Sequence, residues 1–378
     1  MVLKAFKYRI YPDKKQYIQL AKTFGCVRFV YNYYLHMKKE LYENEKKTMS
    51  KNDCNNHLNR VLKKSDEYKW LKEVDKFALT NAIYNLDNAF QNFFREIKKG
   101  NKNQGYPKFK NKKENRFSYT TNFTNNNIEV DFENNKIKLP KLKWIEAKVH
   151  RKFDGKIKSA TVSKTPSNKY FVSILIDTEI NQLPKNNNKI GFDLGIKEFL
   201  IDSNGNHVEN PKHLYKYEWK LVKLQRQHAK KKIGSNNWNK HKIKIARLHE
   251  KITNVRKDFL HKLSSLIINE NQVIISEDLQ VFNMVRNHQL AKAINDVSWG
   301  EFTRQLKYKA NWYGRTYHKI SPWFASSQTC SNCGHKNKEV KKLNVRQWVC
   351  SECRSIHHRD ENAAVNILNQ GLKELNLV

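Results

Sequence analysis

Three carboxylates and four cysteines are the positions where this chain could do chemistry. Asp193 lies in KIGFDLG (189–195), Glu277 in VIISED (273–278) and Asp360 in HRDENAAVNI (358–367). Singly, each has a plain explanation: an acid in a strand-to-glycine turn, a strand-end charge, the first turn of a helix. Together they suit one arrangement, an α/β sheet in which Asp193 sits on a first strand before a hairpin, Glu277 ends a later parallel strand and Asp360 opens a closing helix. Three crowded carboxylates repel and disfavour their own ionisation. Two Mg²⁺ ions about 3.5–4 Å apart would neutralise them and set up in-line hydrolysis of a phosphodiester. Asn or Gln at the same positions could not bring the negative charge.

The cysteines carry the strongest local signal. Cys330 and Cys333, then sixteen residues, then Cys350 and Cys353 form two Cys-x-x-Cys knuckles. That spacing places four thiolates tetrahedrally around one Zn²⁺. With sulfur at every position no site is open for water, so this zinc is expected to be structural. Two disulfides are the alternative, and they suit a basic protein of a reducing compartment poorly. The remaining cysteines, Cys26 and Cys54, are isolated.

The chain that must position these groups has 378 residues, with 39% hydrophobic and 12% aromatic side chains, enough for several cores. Its 72 Lys and Arg against 36 acidic residues give a net charge of +36. Repulsion on that scale favours a polyanionic partner. Aromatics interleave with the basic residues, as where bases stack and phosphates are neutralised, so nucleic acid leads and an anionic membrane surface is the competitor. No apolar run is long enough to span a bilayer, and MVLKAFKYRIYP lacks a signal-peptide core. A cytoplasmic, nucleoid-associated protein is the expectation.

In chain order, VLKAFKYRIY (2–11) reads as a strand, with Leu3, Ala5 and Tyr8 to one side and Lys4, Lys7 and Arg9 to another. Pro12 sets a helix start. Leu20, Phe24, Val27, Tyr31 and Tyr34 predict a helix to about Glu45, disturbed near Gly25. A second helix over 76–98 carries Leu79, Ile83, Leu86, Phe90, Phe93 and Ile97 as a core stripe. The lysine-rich loop 98–121 contains Tyr106, Phe109, Phe117 and Tyr119, which tilts a solvated loop towards nucleic-acid contact. Short strands from 117 to 180 suggest a small β-barrel or sandwich, and 182–188 reads as a linker. Residues 218–270 form a basic helical insertion with a stripe of Ile245, Leu248, Ile252, Val255, Phe259, Leu263 and Leu266, broken into antiparallel helices at GSNNWN (234–239). A helix over 299–313 and a strand at RTYHKIS precede the cysteines.

The ordered set FDLG (192–195), SEDL (276–279), SSQTCSNCG (326–334), CSEC (350–353) and HRDENAAVNI (358–367) resembles the TnpB family, transposon-encoded RNA-guided DNA endonucleases related to type V CRISPR effectors. FKYRIYPDKKQ, FGCVRFVYN, LTNAIYNLDNAFQNFF, GYPKFKNK and WGEFTRQLKYKANWYGR extend the likeness over nearly the full length. The resemblance implies a multidomain α+β protein. Residues 1–12 and 116–185 would make a wedge β-barrel and 13–115 a helical recognition domain. Residues 186–325 and 356–378 would make an RNase H-like (RuvC) α/β nuclease domain, with a zinc ribbon that binds target nucleic acid inserted at 326–355.

It also implies catalytic, Mg²⁺-binding Asp193, Glu277 and Asp360 and a ribbon zinc on Cys330, Cys333, Cys350 and Cys353. The partners would be a transposon-end guide RNA and a double-stranded DNA target, with one copy of the protein in the ribonucleoprotein and no membrane. A short motif beside the target would be read by protein and the remainder by guide pairing. Lys76 and Thr80 are candidates for motif contacts, and Lys4, Lys7, Arg9, Tyr106, Lys108 and Lys110 for other nucleic-acid contacts; ordinary surface roles are the alternative for all of them. Two residues depart from the pattern: His358 stands where Asp is expected, and Arg354 follows the fourth cysteine where Gly is usual. Neither replaces a metal ligand, so tuning of local charge is expected rather than loss of cleavage. A compact CRISPR effector and a guided repressor with a broken nuclease are the alternatives; a repressor should have lost a carboxylate. No His-hydrophobic-His with a suitably placed tyrosine supports a tyrosine transposase.

Overall fold

A computed structural model describes residues 2–101, 105–114, 117–342 and 344–377. The chain divides after Glu179 into two compact units.

In the first unit, β1 (Val2–Tyr11) is followed by α1 (Lys14–Glu45), α2 (Lys51–Arg60) and α3 (Lys76–Lys98). Six strands follow: β2 (Phe117–Asn122), β3 (Glu129–Asp131), β4 (Lys136–Leu139), β5 (Lys143–Lys148), β6 (Lys156–Lys164) and β7 (Tyr170–Thr178). They form one antiparallel sheet in the order β2-β6-β7-β1-β5-β4-β3, an open half-barrel. The amino-terminal strand is thus its centre. The alternation in β1 buries Phe6, Tyr8 and Ile10, while Leu3 and Ala5 face outward with Lys7 and Arg9. This corrects the expected placing of Leu3, Ala5 and Lys4, because a two-residue period cannot put Ala5 and Tyr8 on the same side.

Asp13 closes a capping box with Gln16, and α1 then runs unbroken through Gly25. Nothing within 4 Å would meet a Cβ at Gly25, so no close approach forces a bend there. In α3 the stripe is core only as far as Leu86. Ile97 is 48% exposed, and Phe90 and Phe93 instead pack edge-on against Tyr106.

In the second unit, β8 (Lys189–Leu194), β9 (Glu198–Asp202) and β10 (His207–Glu209) form a meander whose last turn has Gly205 at φ +79°. Helices α4 (His213–Ala229) and α5 (Asn236–Glu270) form a hairpin, with Ser235 capping α5 through Trp238 N–H. Then come β11 (Val273–Glu277), α6 (Val281–Met284), α7 (His288–Val297), α8 (Trp299–Tyr313) and β12 (Thr316–Ile320). The chain closes with the two-stranded β13 (Gln347–Val349) and β14 (Ile356–His358), and α9 (Arg359–Glu374). The sheet order is β10-β9-β8-β11-β12, with β8, β11 and β12 parallel. The stripe on α5 changes face along its length. Leu248 and Ile252 pack against Leu221 of α4, whereas Leu260, Ser264, Ile267 and Ile268 are the buried residues nearer the sheet, and Leu266 is exposed.

Candidate metal and nucleic-acid sites

Parallel pairing sets the position of two carboxylates. Val273 is level with Lys189 and Ser276 with Phe192, so the next pair along the ladder is Glu277 and Asp193 on adjacent strands, about 4.8 Å apart in the sheet direction. Asp360 is the second residue of α9, which crosses this sheet at close range. A Cβ on Gly191 would stand 2.6 Å from Leu368, and one on Gly371 would stand 2.4 Å from Ile275. These two glycines let α9 press against β8 and β11, which carries its first turn to the carboxylate end of the strands.

The electrostatics register the convergence. The Asp193 carboxyl is pushed up to about 8 by burial and by the charges of Glu277 and Asp360. Burial also raises Glu277, against the opposing donation of Ser326 Oγ to Glu277 Oε1 at 2.5 Å. Arg346, just before β13, pairs with Asp360 through Nη1 and Oδ2 at 2.8 Å. A cavity of about 880 Å³ opens over Asp193 and Asp360, with His358, Arg359, Lys197 and Lys212 also on its wall. Desolvated, mutually repelling carboxylates at a cavity lined by basic residues suit divalent cations and a phosphate. His358 is the N-cap residue of α9 and gives no side-chain cap bond. An Asp there would cap the helix, which is a physical reason for the residue expected at that position.

The four cysteine Sγ atoms lie within 4.8 Å of one another, the one such cluster among the described residues. Cys330 to Cys353 and Cys333 to Cys350 are each 3.6 Å, close to the ~3.8 Å edge of a tetrahedron with 2.3 Å Zn–S bonds. The donor set therefore fits zinc. The two knuckles fold alike: Gly334 N–H donates to Cys330 O and Arg354 N–H to Cys350 O. Their φ angles are +80° and +62°, which explains why Gly is the usual residue at position 354. The Ser355 hydroxyl draws the Cys353 thiol down to about 6. His357 Nε2 lies 3.1 Å from Cys330 Sγ.

The remaining candidates are dispersed in the first unit. Lys76 lines a cavity of about 500 Å³ with Lys63, Lys141, Thr124, Asn125 and Asn127. Thr80 Oγ1 bonds Asn55 Oδ1 at 3.0 Å. Lys4, Lys7 and Arg9 hold their cationic ends near the rings of Phe6, Phe171 and Tyr11 respectively. Lys110 sits 4.0 Å from the Tyr31 ring centroid, Tyr106 packs on α3, and Lys108 is exposed. The sequence reading missed Ser326, Arg346 and the two glycines under α9. Ser326 stands in the quoted SSQTCSNCG segment; nothing local marks Arg346.

Residues 171–288 match a family model described as a probable transposase, 299–367 a Cas12f1-like TNB domain, and 1–47 a helix-turn-helix domain. A "Putative RNA-guided DNA endonuclease" of Streptomyces pristinaespiralis is 38% identical over 98% of this chain and 90% of its own length. The "Putative RNA-guided DNA endonuclease InsQ" of Escherichia coli K12 is 32% identical over 98% of this chain and 92% of its own. In fold, the chain is similar to the protein of a Cas12f1–sgRNA–target DNA complex, with TM-score 0.64, 15% identity, and coverage of 97% of this chain and 99% of that one. The chain belongs to the TnpB-like family, in which these two relatives, alike over most of both chains, carry the RNA-guided DNA endonuclease name. Its mixed α/β fold is of the compact Cas12f kind.

Proposed function

We propose that this chain is an RNA-guided DNA endonuclease of an insertion sequence. It binds a guide RNA from the transposon end, reads a short motif beside the target, opens the duplex and cuts both strands at one RuvC-type site. The observation that carries the reading is the meeting of Asp193, Glu277 and Asp360 on one sheet edge, with the Asp193 carboxyl raised by burial and by the charges of the other two. In this reading residues 1–12 and 116–185 act as the wedge, 13–115 as the recognition domain, 186–325 with 356–378 as the nuclease and 326–355 as the zinc ribbon. The protein acts as a single copy in its ribonucleoprotein, in the cytoplasm at the nucleoid.

Two Mg²⁺ ions held by Asp193, Glu277 and Asp360 would supply the Lewis acidity for the attacking water and the departing 3′ oxygen. The protein groups do the rest. Ser326 fixes the rotamer of Glu277, and burial around Asp193 strengthens its hold on a cation once the proton is lost. Arg346 is paired with Asp360, and with a cation on that carboxylate it would be placed to meet a phosphate oxygen. Cys330, Cys333, Cys350 and Cys353 would hold a zinc that ties β13 and β14, and with them Arg346, to the start of α9. Lys76 and the Asn125 and Asn127 wall of its cavity support a role in reading the motif, with Thr80 behind them bracing α2. A compact CRISPR effector is the second reading, supported by the Cas12f1-like fold; the match of residues 171–288 to a probable-transposase family favours the first.

The test is to purify the protein with its flanking DNA expressed, sequence the RNA that accompanies it, and challenge the particle with matching DNA and Mg²⁺. A discrete transposon-end RNA and cuts lost in Asp193→Ala with RNA binding intact are expected. Random cellular RNA, or cutting retained in Asp193→Ala, would overturn the assignment.

A further inference from the structure

The cavity over the carboxylates does not end there. Ile196 and Lys212 line it, and both also line a second hollow of about 380 Å³ with Tyr215, the Lys292–Glu218 ion pair and Asp296, whose charge Arg256 meets. One residue past Glu218, which closes that hollow, Trp219 begins a groove of about 500 Å³ along α4, continued by Lys223, Arg226 and Lys230. The opposite face of α4 packs on α5 through Leu221, so the groove face is free of the protein core. Tyr215 and Trp219 are 75% and 68% exposed, four residues apart and therefore neighbours on one side of the helix. The Lys223 ammonium lies 5.7 Å from the Trp219 ring centroid. Among the described residues Lys223, Arg226 and Lys230 have no carboxylate partner, and the groove wall contains no acid.

We propose that this track, from the carboxylates over Lys212 and down α4 to Lys230, is the seat of the single-stranded DNA being cut. The scissile phosphate would lie at Asp193 and Asp360, one or two bases would stack on Tyr215 and Trp219, and the following phosphates would meet the three cations. Exposed aromatics beside unpaired cations are what an unstacked strand needs; a closed duplex offers no free base face to a ring. Continuity with the carboxylate cavity selects the substrate strand over the guide. α4 is about 25 Å long, enough for several nucleotides. The inference rests on the nuclease reading above.

The test uses the full chain in its ribonucleoprotein and a fluorescein-labelled twelve-nucleotide oligo-dT as probe, with Ca²⁺ in place of Mg²⁺. Trp219→Ala should weaken oligo-dT binding about tenfold, with Trp219→Phe close to wild type. Reversing Lys223, Arg226 and Lys230 to Glu should lower the salt slope of binding by about three charges' worth and slow guided cutting, while guide-RNA retention and melting temperature stay level. Unchanged oligo-dT affinity and cutting in both variants would overturn the track while leaving the nuclease reading intact. Loss of guide RNA in the reversed variant would reassign α4 to the RNA and equally overturn it. A wild-type particle that binds oligo-dT through α4 but never cuts would sink the nuclease reading instead.

Discussion

Ser326 donates its hydroxyl to Glu277, and in the proposed site that bond would orient a metal ligand rather than make one. Outer partners of this kind commonly change metal affinity or activity by about 10–100-fold. Ser326→Ala should therefore raise the Mg²⁺ concentration for half-maximal cutting about tenfold, with the rate at saturating Mg²⁺ largely recovered. A titration of cleavage against Mg²⁺ reads this directly. Arg354 makes the opposite kind of contribution: at φ +62° its Cβ is strained where Gly334 in the sister knuckle is not. Arg354→Gly should raise stability by up to about 1 kcal/mol, measured as a higher melting temperature with zinc bound. That the three carboxylates would converge and the four cysteines cluster was legible in the sequence, because metal chemistry restricts residue type and spacing. Ser326 as a partner of Glu277 was not, since forty-nine positions separate them and only the sheet brings them together.

At the scale of elements, α9 is bound to the segment before the first knuckle by buried amides. Asn366 Nδ2 donates to Ser326 O at 2.8 Å and Thr329 O at 2.6 Å, and Asn362 Nδ2 to Thr329 O at 2.7 Å. Asn366→Ala would leave the buried Ser326 carbonyl unsatisfied, while Thr329 O keeps Asn362, at a cost of about 1–3 kcal/mol, and should lower both melting temperature and cutting. Cys350→Ser should release zinc, detectable by metal analysis, and cost cutting through the same connection. Lys309 illustrates another buried commitment, donating to His261 O, Ser264 Oγ and Ser265 Oγ between α5 and α8. Burial lowers its pKa to about 8. The unfolded chain then holds the proton to about pH 10.4 while the folded one releases it near 8, so between these values unfolding releases no proton but takes one up. Stability should rise with pH across that window, and Lys309→Met should remove the rise in denaturant titrations. The long helices were readable from periodicity, down to the ends of α3 and α8, whereas the short α2, α6 and α7 were not. Faces were less so. The α5 stripe changes neighbours midway, and the outer half of α3 has its aromatics claimed by Tyr106, neither of which a single period reports.

For the molecule as a whole, the charge of +36 is the largest electrostatic fact. Binding that neutralises some 6–10 phosphates should weaken by about 10³–10⁵ between 50 and 200 mM salt, and a filter-binding series with RNA would show it; a flat response would remove the polyanion from the account. No helix among the described residues is long and apolar enough to cross a membrane. The barrel expected from residues 117–180 is an open sheet, because its outermost strands β2 and β3 do not pair with each other. Turn residues mark where strands end, but closure depends on how the sheet coils, which short alternating segments do not encode.

The amide ties from α9 to the knuckle segment also bear on when a newly made chain becomes dangerous. Asp360 depends on a helix whose first turn leans on the folded ribbon, so a chain made during zinc shortage would carry every acidic residue and still lack a competent centre. A cell's zinc supply would then act as a safety catch on genome cutting.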